Sequence, residues 1–173
     1  KTKPIRIQQQ VKRRAIRVKM ANEDNYKIKV LLVGSSRAGK TAIGEGYALG
    51  QFEEHPYPWI GVDFWKKWLT VWTKTVKLFV WDSFGAAKWL PQSYFRGCSA
   101  IIFVYDSTSA ESFHELDDCV KAALRNLNKE IPFVLVATKL DLKPRAVKRE
   151  VAEAFARKHN MMHIETSSKE DMN

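Results

Sequence analysis

The feature that most limits how this chain can fold is a short apolar run, Lys29-Val30-Leu31-Leu32-Val33, that leads straight into Gly34-Ser35-Ser36-Arg37-Ala38-Gly39-Lys40-Thr41 and then into a helix-like stretch. GxxxxGK[ST] between a strand and a helix is a phosphate-cradling loop. The glycines let backbone N–H groups turn toward an anion at a helix start, and Lys40 offers a positive point charge to the outer phosphate oxygens. The Thr41 hydroxyl suits Mg²⁺. Gly34, Ser36, Arg37, Ala38, Gly39, Lys40, Thr41 and Ala42 are therefore candidate phosphate-site residues. A glycine-rich turn without ligand is the alternative, and the strand before it and helix after it argue against that. Gly44 and Gly46 in the following helix each cost on the order of 1 kcal/mol relative to alanine, and the sequence alone supplies no reason for them.

A chain of 173 residues has room for one domain with one core. From Tyr26 onward, β-branched runs alternate with longer amphipathic stretches, the pattern of βαβ units around a mostly parallel sheet. Strands are expected at 27–33, 62–72, 74–81, 100–105, 132–138 and 162–165. Thr108 and Glu111 have the spacing of a capping box. They open a helix with Phe113, Leu116, Val120, Ala123 and Leu124 on one stripe. A second helix is expected over 145–159, after Pro144, with Val151 and Phe155 one turn apart.

Along the second strand, period-2 alternation sets Phe64, Lys66, Trp68, Thr70 and Trp72 on one face and Trp65, Lys67, Leu69 and Val71 on the other. Large aromatics and lysines on both faces cannot all be buried, so part of this surface is expected to meet a partner. Additional core packing is the competing reading.

The net charge is +10, unevenly spread. Lys1, Lys3, Arg6, Lys12, Arg13, Arg14, Arg17 and Lys19 fall in a stretch with no acid before Glu23. We read residues 1–22 as a basic N-terminal extension and 23–173 as the folded domain. The extension reads as a solvated arm or as a segment for an acidic lipid, protein or nucleic-acid partner. A transit peptide is a further reading, weakened by the near absence of Ser. Cys98 and Cys119 lack metal or CxxC spacing and read as buried thiols. No apolar run reaches the roughly 20 residues that span a bilayer.

Three further motifs follow the phosphate loop in order: Trp81-Asp82-Ser83-Phe84-Gly85, Thr138-Lys139-Leu140-Asp141 and Glu165-Thr166-Ser167-Ser168-Lys169. They resemble the DxxG, [NT]KxD and ETSAK elements of Ras-like small GTPases, and the resemblance runs from Tyr26 to the end of the chain. Ile60-Gly61-Val62-Asp63-Phe64 and Tyr94-Phe95-Arg96-Gly97 are similar to the Rab branch in particular.

The resemblance implies a P-loop small-GTPase fold, α/β, with a mostly parallel six-stranded sheet and helices on both faces, here without the family's final helix. It implies GTP or GDP with Mg²⁺ as ligands. Asp82 and Gly85 would then serve the metal and phosphate side. Thr138, Lys139, Asp141, Ser167, Ser168 and Lys169 would read guanine, with Phe52 packed against the purine. A fixed carboxylate at Asp141 accepts guanine's adjacent N1–H and N2–H donors in a fork. In Rabs, aromatics matching Phe64, Trp81 and Tyr94 form an effector triad, which Trp65 and Trp68 would widen. A cytoplasmic protein on the cytosolic face of membranes is the implied setting, though membrane anchoring is not visible in this chain.

Two positions depart from the family pattern. Trp59 stands where a threonine binds Mg²⁺, and an indole N–H can only donate. Ala86 stands where a glutamine orients the attacking water. Phosphoryl transfer rests on positioning and electrostatics, so very slow hydrolysis is expected. Two readings stay open: a nucleotide switch in membrane traffic, and a pseudo-GTPase subunit that keeps nucleotide as a structural ligand.

Overall fold

In the computed structural model the alternating pattern becomes six strands and five helices over the described residues, which are 26–50, 52, 63–83, 85 and 90–173. Strand β1 (Tyr26–Val33) lies inside the sheet, where Leu31, Leu32 and Val33 are fully buried. Near-continuous apolar runs of this kind suit strands covered on both sides. β1 pairs in parallel with β3 (Lys74–Asp82) on one side and β4 (Ala100–Asp106) on the other. β5 (Phe133–Thr138) and β6 (Met161–Glu165) continue the parallel set. β2 (Asp63–Val71) joins β3 as an antiparallel edge, giving the order β2-β3-β1-β4-β5-β6. The expected six-stranded, mostly parallel sheet is the one observed.

Helix α1 (Lys40–Leu49) packs beneath β2 and β3 on one face. The other face carries the main core. There Leu31, Val33, Ile101, Phe103, Tyr105 and Leu135 meet α3 (Ala110–His114), α4 (Leu116–Asn126) and α5 (Arg149–Lys158). The short α2 (Gln92–Phe95), which the sequence pattern did not announce, adds the buried ring of Phe95. Cys98 and Cys119 are buried free thiols, as expected.

The structure explains Gly44. A Cβ built there would lie 2.1 Å from Cζ3 of Trp65 and 2.5 Å from its Cε3. The glycine therefore admits an indole against the helix backbone, and the lost helix propensity is offset by that packing. Trp65, expected to widen a docking surface, is on the face opposite Phe64 and turns its ring onto α1.

Three local expectations are corrected. The helix cap is Ser109, whose Oγ accepts from Ser112 N at 3.2 Å. Thr108 is already engaged, since its N–H and hydroxyl both donate to Asp106 Oδ1, at 2.8 and 2.6 Å. The expected single helix is two, α3 and α4, and Leu124 on its supposed buried stripe is 61% exposed. The later helix starts at Arg149 rather than Arg145, because Ala146 and Val147 instead donate their N–H groups to Ser107 O. Of the two residues one turn apart on it, Phe155 is buried and Val151 is half exposed. The basic extension, Trp59, Ile60-Gly61-Val62, Phe84 and Ala86 lie outside the described residues.

Candidate functional site

All the sequence-predicted elements that the structure describes end at one edge, beyond the carboxyl ends of the parallel strands, where open α/β sheets bind ligands. The phosphate loop follows β1, Asp82 closes β3, Thr138 closes β5, and Ser167 follows β6. Gly34 sits where nothing larger fits, since a Cβ there would lie 2.1 Å from Val104 O. Ser36 and Arg37 are exposed on the outside of the loop, while Ala38 is buried at its base.

Lys40 is buried, and its ammonium donates to Gly34 O at 2.9 Å and Ser35 O at 2.6 Å. Burial pushes its pKa down, opposed by the Asp82 and Glu115 carboxylates. The loop thus wraps around a cation that is short of water, and a polyphosphate would complete its charge balance.

Next to it, Thr41 Oγ1 donates to Asp82 Oδ2 at 2.5 Å. A hydroxyl and a carboxylate side by side beside a phosphate loop form an all-oxygen donor set. Mg²⁺ prefers such ligands and usually takes one or two from the protein and the rest from phosphate and water. The residues present fit that ion. Ala42 follows in the first turn of α1, and Gly85 lies just past β3 in left-handed backbone, φ 72°.

The Thr138-Lys139-Leu140-Asp141 motif is tied to the glycine-rich loop through Thr138. Its hydroxyl lies 2.7 Å from Ala38 O and 3.0 Å from Tyr105 O. Lys139 is held in left-handed backbone, φ 58°, with its ammonium 2.7 Å from Asp106 Oδ2. Burial works to raise the Asp106 carboxyl, but Lys139 and Thr108 outweigh it and the net shift is downward. Asp141 Oδ1 accepts from the fully buried Ser167 Oγ at 2.6 Å. This hydrogen bond joins the second and third motifs and fixes the carboxylate in direction. Ser168 is half-buried, Lys169 is exposed and Phe52 is 40% exposed.

Sequence reasoning did not find Asp106 or Glu115. The Glu115 carboxylate accepts from Ser35 Oγ at 2.6 Å, bracing the phosphate loop from the α3–α4 junction. These partners are 33 and 80 residues from Lys139 and Ser35, and short motifs carry no signal at such separations.

Beside this edge, on the sheet face opposite α1, Phe64 stacks on Trp81 with centroids 5.7 Å apart, and Tyr94 meets Trp81 edge-on at 6.4 Å. Lys29 Nζ lies 4.3 Å from the Trp81 centroid and donates to Tyr94 O at 2.6 Å. One ammonium therefore holds the Trp81 ring and the Tyr94 backbone together. Trp68 extends the same face, 45% exposed, with Lys77 Nζ 5.2 Å from its centroid.

Residues 29–173 match the model of the Ras family. GTP-binding protein YPTM1 of Zea mays is 38% identical over 157 residues, which is 89% of this chain and 76% of that protein. Ras-related protein Rab-13 of Rattus norvegicus is 34% identical, with 89% and 77% covered. Ras-related protein Rab-30 of Homo sapiens is 34% identical over 158 residues, with 89% and 78% covered.

Proposed function

The chain belongs to the Ras family of small GTPases, close to its Rab members, and from that premise we propose that it holds guanine nucleotide firmly while hydrolysing GTP very slowly. GTP-dependent switching is the function its family membership supports. The slow hydrolysis rests on one observation, that Ala86 and Trp59 replace a water-orienting amide and a metal-binding hydroxyl.

In this reading the phosphate loop from Gly34 to Ala42 grips the polyphosphate, with Lys40 as its point charge. Thr138, Lys139 and Asp141 read the base, helped by Ser167, Ser168 and Lys169, with Phe52 against the purine. Thr41 and Asp82 would hold Mg²⁺, which when bound neutralises charge on the outer phosphates. Effector or assembly proteins would dock on Phe64, Trp81, Tyr94 and Trp68. Work in membrane traffic, on the cytosolic face of membranes, follows from the likeness to Rab proteins.

The second reading is a pseudo-GTPase, in which nucleotide stabilises the fold by mass action and the aromatic face docks permanently into an assembly. Trp59, Ala86 and the crowd of tryptophans favour it. Single-turnover measurement with radiolabelled GTP decides. Hydrolysis at an ordinary small-GTPase rate would defeat both the slow-turnover proposal and this second reading. GTP that stays intact and exchanges with free nucleotide supports the first, and nucleotide that never exchanges supports the second.

A further inference from the structure

We propose that the tip of the β2–β3 hairpin, led by Trp72, inserts into an anionic lipid surface. Trp72 is 95% exposed, far beyond any other large apolar side chain among the described residues. It sits at the turn in left-handed backbone, φ 57°, a conformation uncommon for a bulky residue. Trp81 and Trp68 have ring or ammonium neighbours, whereas no such partner accompanies Trp72 among the described residues. Val71 beside it is 48% exposed.

Lys74 is beside this tip, and further lysines lie along both faces of the hairpin. By register, Lys66 and Lys77 lie on the face of Phe64, while Lys67 and Lys74 lie on the face of Trp65. No acid occurs between Phe64 and Trp81. β1 begins at the same pole, with Tyr26 level with Val76 and its hydroxyl accepting from Lys74 Nζ at 2.7 Å.

The arrangement selects a sheet-like anion over the alternatives. A protein docking face gathers its charges on one side of a strand, whereas here they surround the hairpin axis, as an end-on approach to a plane requires. Single-stranded nucleic acid needs bare aromatic faces for stacking. On the flat face Phe64, Trp81, Phe79 and Trp68 each already have a ring or ammonium neighbour, with Lys77 Nζ 5.1 Å from Phe79 and 5.2 Å from Trp68, which leaves Trp72 as a single bare ring rather than a row of them. One projecting indole with Lys74 beside it and Lys77 further up the hairpin suits the lipid–water interface, the ring at headgroup depth and the ammonium groups toward anionic headgroups.

The phosphate loop is at the other end of β1, so contact at the tip should not depend on bound nucleotide. The test is co-sedimentation of the full chain with vesicles of phosphatidylcholine alone or mixed with phosphatidylserine. Quenching by brominated lipid reports whether indole enters the bilayer. The expected result is salt-sensitive binding to the phosphatidylserine vesicles only. Trp72→Ala should weaken it roughly tenfold and lower the quenching. Lys74→Gln with Lys77→Gln should weaken it by about 25-fold, at roughly fivefold per charge. Nucleotide loading measured on each variant confirms the fold, since none of these residues is at the phosphate edge. Three results would overturn the proposal: no vesicle binding by the intact chain; Trp72→Ala binding like the parent while removal of residues 1–22 abolishes binding; or retention of single-stranded RNA or an acidic peptide in place of vesicles.

Discussion

The backbone of Gly44 in α1 lies so close to the indole of Trp65 on β2 that a single added methyl would sit 2.1 Å from a ring carbon. In the family-shaped sheet this contact ties the helix after the phosphate loop to the edge hairpin. Alanine at position 44 gains about 1 kcal/mol of helix propensity, while forcing the ring away costs about 1–3 kcal/mol. Gly44→Ala is expected to be destabilising by up to about 2 kcal/mol in denaturant unfolding. Adding Trp65→Leu should recover much of the loss. A stabilised single variant would mean that Trp65 does not pack there.

Asp141 is braced by Ser167, which fixes the direction of the carboxylate we propose as the acceptor for the base. Asn at this position keeps an oxygen for Ser167 but turns one acceptor into a donor. Asp141→Asn should weaken GTP binding by about 1–3 kcal/mol, or roughly 5- to 150-fold. The parent should prefer GTP over ITP, which lacks the 2-amino group, and the variant should lose that preference. Equal affinity of the parent for both nucleotides would sink the assignment of Asp141.

Lys40 is held by two loop carbonyls in a buried position. Removing a buried charge that pairs with an anion costs about 2–5 kcal/mol. Lys40→Ala should therefore lower GDP affinity by at least about thirtyfold in a filter-binding titration. The carbonyls of Gly34 and Ser35 would lose their donor as well, so some loss of thermal stability without ligand is expected.

If Ala86 and Trp59 are what stalls hydrolysis, restoring the missing groups should release it. Ala86→Gln combined with Trp59→Thr is expected to raise the single-turnover rate on the order of a hundredfold. The single variants should give much less, because water orientation and metal coordination act together. An unchanged rate in the double variant, with nucleotide still bound, would place the block elsewhere.

Much of the fold was legible because parallel strands are written as contiguous apolar runs. Val30 to Val33, Ile101 to Val104 and Val134 to Ala137 are such runs, and their strand limits fall within one residue of expectation. Helix limits were less legible, since they turn on which of two adjacent groups wins a hydrogen bond. Thr108 lost the cap to Ser109 because Asp106 had claimed it. In the site, each motif is local and could be read singly. The links between motifs, Thr138 to Ala38 and Ser35 to Glu115, depend on tertiary closure and leave no trace in spacing. The alternation already set Trp65 and Trp68 on opposite faces of the strand, but which face α1 would cover is a tertiary outcome, and it is what makes Trp65 a packing residue and leaves Trp68 at the surface.

His163 on β6 gives the last prediction, a pH dependence with a definite sign. Its side chain is half-buried, and Nε2 has no hydrogen-bond partner among the described residues. Burial lowers its pKa, offset in part by Glu165 and Glu153, with Arg149 and Arg145 pushing further down. His159 is shifted down as well, by burial and by Lys158, against Asp117. A histidine with a depressed folded pKa takes up its proton more readily in the unfolded chain. Stability is therefore unaffected well above about pH 6.5 and falls as pH drops through that value, until the folded form protonates too. The thermal midpoint should decline from about pH 7 toward pH 5, and His163→Gln should make the decline shallower. His159→Gln on top should flatten it further, leaving the carboxylates, Asp106 among them with its lowered pKa, to act at more acid pH. An identical slope in the parent and both variants over that window would show that neither imidazole is shifted.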